Sequence, residues 1–237
     1  IKERIPITLT LNLISTFLAY LIAIPLGIYS AVNQHSLWDR ISTVVVFILY
    51  SLPNFWIGTM LIIFFGGGDF FDLFPYAGLY SNNYESLSTM GKFTDLIWHI
   101  ILPIAVYTYG SFAYLSRQMR VGMLEIIRQD YIRTARAKGL TENVVIYKHA
   151  LRNSLIPIVT ILAYILPAMI GGSVIIETIF TIPGMGSLAF EAITSRDYPV
   201  VMAVFTISAV LTLIGILLAD LLYSVVDPRI TFGSKES

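Results

Sequence analysis

Few residues in this chain combine the type and spacing that covalent chemistry needs. The three histidines, His35, His99 and His149, lie in separate segments, and no pair has metal-ligand spacing. Cysteine is absent, which excludes thiolate metal sites, a cysteine nucleophile and a disulfide framework. No serine has a recognisable base partner. Gly66-Gly67-Gly68 is followed by Asp69 and lacks the lysine of a phosphate-binding loop, so it reads as a flexible exit from an apolar segment. Asp69 and Asp72 could attract a cation, but a solvated loop explains them more simply. Two acids border or enter apolar stretches. Asp220 reads as a structural contact or a gate, and Glu177 ends such a stretch. No catalytic residue, metal or cofactor is expected.

The elements that carry these residues are apolar. Of 237 residues 56% are hydrophobic and 13% charged, against about 25% charged in soluble domains. Mean hydropathy is +0.76. Such a chain needs lipid around most of its perimeter. Five segments are long and apolar enough to cross: residues 7–32, 41–65, 100–115, 154–176 and 200–226. The third is short. None alternates polar with apolar residues as a barrel strand does, so the fold class expected is an all-α integral membrane bundle. Pro25 and Gly27, Pro53, Pro103, and Pro157 with Pro167 interrupt the first four segments, either shaping a cavity or reflecting the ordinary frequency of these residues in membrane helices. The chain starts at Ile1 with an apolar stretch too long for a signal peptide. This reads as a start partway through a longer protein.

Charge gives the orientation. Residues 117–153 hold eight basic residues against Glu125, Asp130 and Glu142, whereas residues 66–98 hold Lys92 alone against Asp69, Asp72, Glu85 and Asp95. The basic segment is therefore cytoplasmic and the acidic one external. Lys2 and Arg4 then fall outside, a mild conflict with the rule.

The basic segment is the most informative. Val121, Leu124, Ile127, Tyr131 and Ala135 recur at helical steps, with Arg128, Arg133 and Arg136 opposite. This predicts one helix over residues 121–138. Gly139 stops it, and Thr141 can cap a second helix over residues 142–151 through its hydroxyl. The resulting elbow, within residues 121–153, has three readings: a surface on anionic lipid, a solvated charge run, or an insert docking into a cytoplasmic partner.

Its residues carry a resemblance. Asp130-Tyr131-Ile132-Arg133-Thr134-Ala135-Arg136-Ala137-Lys138-Gly139-Leu140, then His149-Ala150-Leu151-Arg152-Asn153 and Pro157, resembles the signature of ABC importer permeases, in particular the dipeptide/oligopeptide branch. That family has a Glu-Ala-Ala, three residues, Gly pattern. Here Arg133, Thr134, Ala135 and Gly139 fill its slots, and the acid and first alanine depart from it in the way the peptide branch does. Further blocks are similar: Ile24-Pro25-Leu26-Gly27, Ser51-Leu52-Pro53-Asn54-Phe55-Trp56, Ile101-Leu102-Pro103, Glu177-Thr178-Ile179-Phe180-Thr181-Ile182-Pro183-Gly184-Met185-Gly186, Arg196-Asp197-Tyr198-Pro199 and Asp220 through Arg229. Together they cover nearly the whole chain.

The resemblance implies a permease subunit with six spans in full, five of them here. It implies that the elbow is a coupling helix against an ATP-binding subunit, through Asp130, Tyr131, Arg133, Thr134, Ala135, Arg136, Ala137, Lys138, Gly139 and Leu140. Two ATP-binding subunits, a second homologous permease and an extracytoplasmic peptide-binding protein are the implied partners, with lipid around them and no nucleic acid. Glu177 could contact the docked binding protein or the loop after it. Pro53, Asn54, Trp56, Ile182 and Met185 are candidates for the pore or an outer gate. A secondary transporter or channel without an ATPase is the alternative; it would need polar groups lining its spans.

Overall fold

The computed structural model describes residues 1–67 and 70–226; it leaves undescribed the side chains at 162–164, 166–168, 170, 219, 220 and 222–226. Gly68, Asp69, the tail from Asp227 and the side chains of Pro167 and Asp220 therefore lie outside the described residues. Among the described residues all regular structure is helical.

The pairing of the first and fourth helices follows from small residues at every fourth position. In α1 (Arg4–Val32), Leu11, Ser15, Ala19, Ala23, Gly27 and Ala31 are all buried, along a seam against α4 (Thr89–Ile127). Small side chains let two backbones approach closely, which is how helices associate in lipid. The approach is tightest at Gly27, where a Cβ would sit 2.6 Å from the Cβ of Met119 and 2.9 Å from the Ser116 carbonyl. Higher in the seam the Thr108 hydroxyl donates to the Ser15 carbonyl at 3.4 Å. Pro25 and Pro103 interrupt neither helix. The third apolar segment, short in sequence, lies inside this 39-residue helix, roughly 58 Å long at 1.5 Å per residue.

Pro53 does break its segment. α2 (Leu37–Ser51) and α3 (Asn54–Phe65) meet at 99°, a broken span or re-entrant turn rather than one straight crossing. Proline cannot donate to the carbonyl four residues back, and it drives the preceding residue to extended backbone. Leu52 is extended, at ψ 135. The carbonyls at the break gain a side-chain donor: the Tyr109 hydroxyl on α4 lies against Leu49 O, which also accepts from the Leu52 amide at 3.3 Å, and 2.6 Å from Leu52 O.

The fourth apolar segment is also two pieces. α8 (Ile156–Gly171) starts with Pro157 in its first turn and ends at Gly172, whose φ is +65. α9 (Val174–Ile179), α10 (Met185–Ser195) and α11 (Tyr198–Val226) follow. α1, α4 and α11 are long and apolar enough to cross a membrane alone, and α2 with α3 makes a fourth candidate as a bent pair. α11 packs chiefly on α8, and Met202, Phe205, Leu213 and Leu217 stay exposed along it, as lipid or a neighbouring subunit requires.

Two main cores result. At the outer end Leu11, Leu102, Val106, Ile176, Phe180 and Ile182 cluster. The external segment hooks onto them where the Gly78 amide donates to the Phe180 carbonyl at 2.9 Å. At the basic end Ile28, Ala31, Met119 and Met123 pack with Ile132, Ala135, Val145, Ile146 and Ala150.

Candidate functional site

The elbow is built by three backbone decisions. α4 ends at Ile127, and Gln129 turns the chain to extended backbone at ψ 150 before α5 (Asp130–Ala137) begins. The single helix expected over residues 121–138 is thus two helices with a corner. The corner changes which side is buried: Ile132 and Ala135 face the core, while Tyr131 and Val121 stay exposed. Gly139, at φ +77, then closes α5. The Leu140 amide reaches back to the Ala135 carbonyl at 3.4 Å, and the Gly139 amide to Arg136 O at 2.9 Å. This pair of bonds is the Schellman arrangement, which a residue in left-handed conformation permits. Nothing lies within 4 Å of where a Gly139 Cβ would stand, so backbone conformation, not space, demands glycine there.

The return limb is helical throughout: α6 (Glu142–Val144), a π-helical stretch (Val145–Ala150) and α7 (Leu151–Ser154). Thr141 occupies the cap position with extended backbone, but its hydroxyl makes no capping bond, contrary to expectation. The limb is held instead by side chains across the elbow. Arg136 grips Glu142 with two bonds, 3.1 Å from Nε and 2.6 Å from Nη2. That guanidinium holds the Glu142 carboxyl below its usual range. Asn153 donates to the Tyr131 hydroxyl at 2.9 Å. At the limb's end the Ser154 hydroxyl meets Met123 Sδ at 2.9 Å.

One face of the elbow is therefore fixed to α1 and α4, and the other is free. Asp130, Tyr131, Arg133, Thr134, Arg136, Ala137, Lys138, Gly139 and Leu140 are all exposed. Of the ten elbow residues expected from sequence, only Ala135 turns inward. Small size serves Ala135 against its own chain, whereas Ala137 is open.

The second group of candidates divides. Pro53, Asn54 and Trp56 are exposed at the α2–α3 break, and Asn54 lies over Gly110 of α4, whose Cβ would come 3.0 Å from Nδ2. Ile182 and Met185 are 2% and 1% exposed, so both are buried within this chain, Ile182 in the cluster that holds Phe180. Beside them lies an arrangement that sequence reasoning reached only in part, through the loop after Glu177 as one of its two expected contacts. Glu177 is 1% exposed and so is no surface contact for another protein. Its carboxylate accepts from the Ser187 amide at 2.7 Å and the Thr8 hydroxyl at 3.4 Å. Gly172, Gly184 and Gly186 wall it in; a Cβ on Gly184 would lie 2.3 Å from Glu177 Cδ. The carboxylate pins the turn between α9 and α10 to α1. The glycines on both sides of Glu177, at 172, 184 and 186, were the available signal.

A second omission is ionic. Asp39, 3% exposed, receives Arg120 at 3.0 and 3.1 Å, the His35 amide at 2.9 Å and the Ser30 hydroxyl. It ties the α1–α2 turn to α4.

Apolar helices long enough to cross a bilayer, around a polar elbow packed on one face and bare on the other, define a membrane protein. Residues 23–232 match the family described as the binding-protein-dependent transport system inner membrane component, and the chain belongs to that family. It is 47% identical over 232 residues to the oligopeptide transport system permease protein AppB of Bacillus subtilis (strain 168), covering 98% of this chain and 71% of that protein. To the inner membrane ABC transporter permease protein YejB of Escherichia coli O157:H7 it is 42% identical, covering 99% of this chain and 65% of that one. To the dipeptide transport system permease protein DppB of Escherichia coli (strain K12) it is 36% identical, covering 97% and 75%. The chain thus spans from about two thirds to three quarters of the length of these relatives. Among solved structures, a chain of the MetNI methionine ABC transporter shares the fold with TM-score 0.70 at 18% identity, covering 95% of each chain. The chain is an ABC importer permease subunit of the cell membrane, and ATP hydrolysis belongs to a separate subunit.

Proposed function

We propose that this chain forms half of the translocation pathway of a peptide importer and receives its driving motion through the elbow. In this reading two ATP-binding subunits sit beneath it and a second, homologous permease. An extracytoplasmic binding protein delivers the peptide. The observation that carries the reading is the two-sided elbow: Ile132 and Ala135 locked into the core of α1 and α4, with Tyr131, Arg133, Lys138 and Leu140 bare on the other side. A push on the bare side displaces α4 because the packed side cannot slip. Arg133 and Lys138 supply charge to pair with acids on the ATPase, and Tyr131 and Leu140 supply anchors.

ATP binding closes the ATPase pair, the elbows approach each other, and the helices tilt to open the pathway outward; hydrolysis resets them. A hundredfold swing in each direction takes about 5.5 kcal/mol of differential binding between the two states. Pro53, Asn54 and Trp56, at the break between α2 and α3, face the pathway in this proposal. The turn carrying Ile182 and Met185 forms the outer gate's rigid seat, pinned by Glu177. Thr181 in that turn holds φ +54, a costly conformation for a β-branched residue.

The test is purification of the assembled transporter, followed by subunit and ligand mass spectrometry and ATP-driven uptake in proteoliposomes. An ATPase, a second permease and bound peptide are expected. Uptake driven by an ion gradient alone, with no ATPase in the assembly, would favour a secondary carrier.

A further inference from the structure

Beside the buried Asp39–Arg120 pair, α1, α2 and α4 enclose an open cleft of about 360 Å³. Its two ends differ in chemistry. Arg117, Arg120 and Thr43 stand at the end nearer the elbow. Val46, Phe47 and Ala113 lie one turn further along α2 and α4, away from the elbow. Phe47 is 62% exposed, and Tyr50 beyond it 54%, so the apolar end opens sideways.

The charges at the mouth do not cancel. Arg120 is neutralised by its two bonds to Asp39. Thr43 already leans on that same carboxylate at 3.5 Å. Arg117 is exposed and, among the described residues, makes no hydrogen bond or ion pair. The cleft thus presents one uncompensated guanidinium above an apolar slot. From Thr43 to Tyr50 the slot runs roughly 10 Å along α2. A single negative charge joined to a hydrocarbon tail matches both ends. A guanidinium binds phosphate through parallel N–H donors, which a solvated ion at the same place would not orient.

We propose that this cleft is a binding site for a phospholipid of the cytoplasmic leaflet, with Arg117 on its phosphodiester and one acyl chain along Val46, Phe47 and Ala113. The proposal rests on the cytoplasmic placement of the elbow given above. Basic residues flanking a span draw anionic headgroups in general; this cleft adds a seat for one tail. A bound lipid here wedges α2 against α4 next to the Asp39–Arg120 tie, so bilayer composition would bear on the bent span directly.

The test uses the assembled transporter in nanodiscs of phosphatidylcholine with phosphatidylglycerol carrying a photoactivatable diazirine on one acyl chain. Adducts are expected on residues 43–50 and 113–121. Arg117→Ala is expected to cut their yield about tenfold, the worth of a charge-assisted contact, and Arg117→Lys to restore part of it. Val46→Trp, at a partly exposed position lining the apolar end, lowers the yield while leaving the charge in place. Unchanged adducts in Arg117→Ala, or photoproducts joining this cleft to a protein subunit in place of lipid, overturn the proposal. ATPase content of the same preparations separates the two readings. Unchanged adducts in a complex that retains its ATPase reject the lipid site alone, and a complex without ATPase rejects the coupling reading.

Discussion

Gly139 and Arg120 bear single-residue loads of opposite kinds. Gly139 is required by its backbone, since its surroundings are empty and its φ is +77. A side chain in that conformation costs about 1–2 kcal/mol, and a β-branched one more. Gly139→Val is therefore expected to unwind the end of α5 without touching the core. In proteoliposomes uptake should fall while ATP hydrolysis continues, and Gly139→Asn should lose less. Unchanged uptake in Gly139→Val would count against the elbow as the coupling element. Arg120 is required by its partner. Removing it strands the buried Asp39 carboxylate, and breaking such a pair costs about 3–5 kcal/mol. Arg120→Ala should lower the thermal midpoint of the purified complex, and removing Asp39 as well should restore most of the loss. Equal midpoints for Arg120→Ala and the parent would show that the tie contributes nothing.

At the scale of elements, the turn between α9 and α10 is closed around Glu177 so tightly that its glycines admit no Cβ. Gly184→Ala is expected to destabilise the complex by about 1–3 kcal/mol through overpacking. Gly171→Ala should not, because nothing lies within 4 Å of its Cβ position; thermal unfolding of both variants checks the contrast. Here the limits of sequence reading are physical. Proline at 53 was legible as a break because the missing donor is a property of the residue itself. That Pro25 and Pro103 leave their helices continuous was not, because neighbouring helices decide how a freed carbonyl is satisfied. The corner at Gln129 was hidden because apolar residues continue across it at nearly helical spacing, so Tyr131 reads as sharing one face with Val121, Leu124 and Ile127, whereas Ile132 is the residue the structure buries. The length of α4 was obscured by the charges near its ends, Lys92 and Asp95 at one and Arg117 and Arg120 towards the other, which a helix longer than the hydrocarbon can keep. The small-residue seam of α1, Ser15, Ala19, Ala23, Gly27 and Ala31, went unread in sequence, because such a ladder names no partner until α4 is placed beside it.

For the whole molecule, the two cores and the seam between them make α1 and α4 a rigid strut from the outer turn to the elbow. The family assignment agrees with the signature read from residues 130–140, and nine of the ten elbow residues named from sequence are exposed, as charged and polar side chains beside a helix end are expected to be. The pathway was less legible: Ile182 and Met185 are buried in this chain, and apolar character alone does not separate a gate from the packing that supports it. The central claim is that the elbow is seated on an ATP-driven subunit. It can be tested at one atom, because the chain has no cysteine of its own. Lys138→Cys, placed on the bare side of the elbow, should cross-link through a short bifunctional thiol–amine reagent to an ATP-binding subunit in the assembled transporter, with a yield that changes when ATP is bound. Modification of that thiol by a membrane-impermeant reagent added outside intact cells, with no cross-link to any ATPase, would contradict the account.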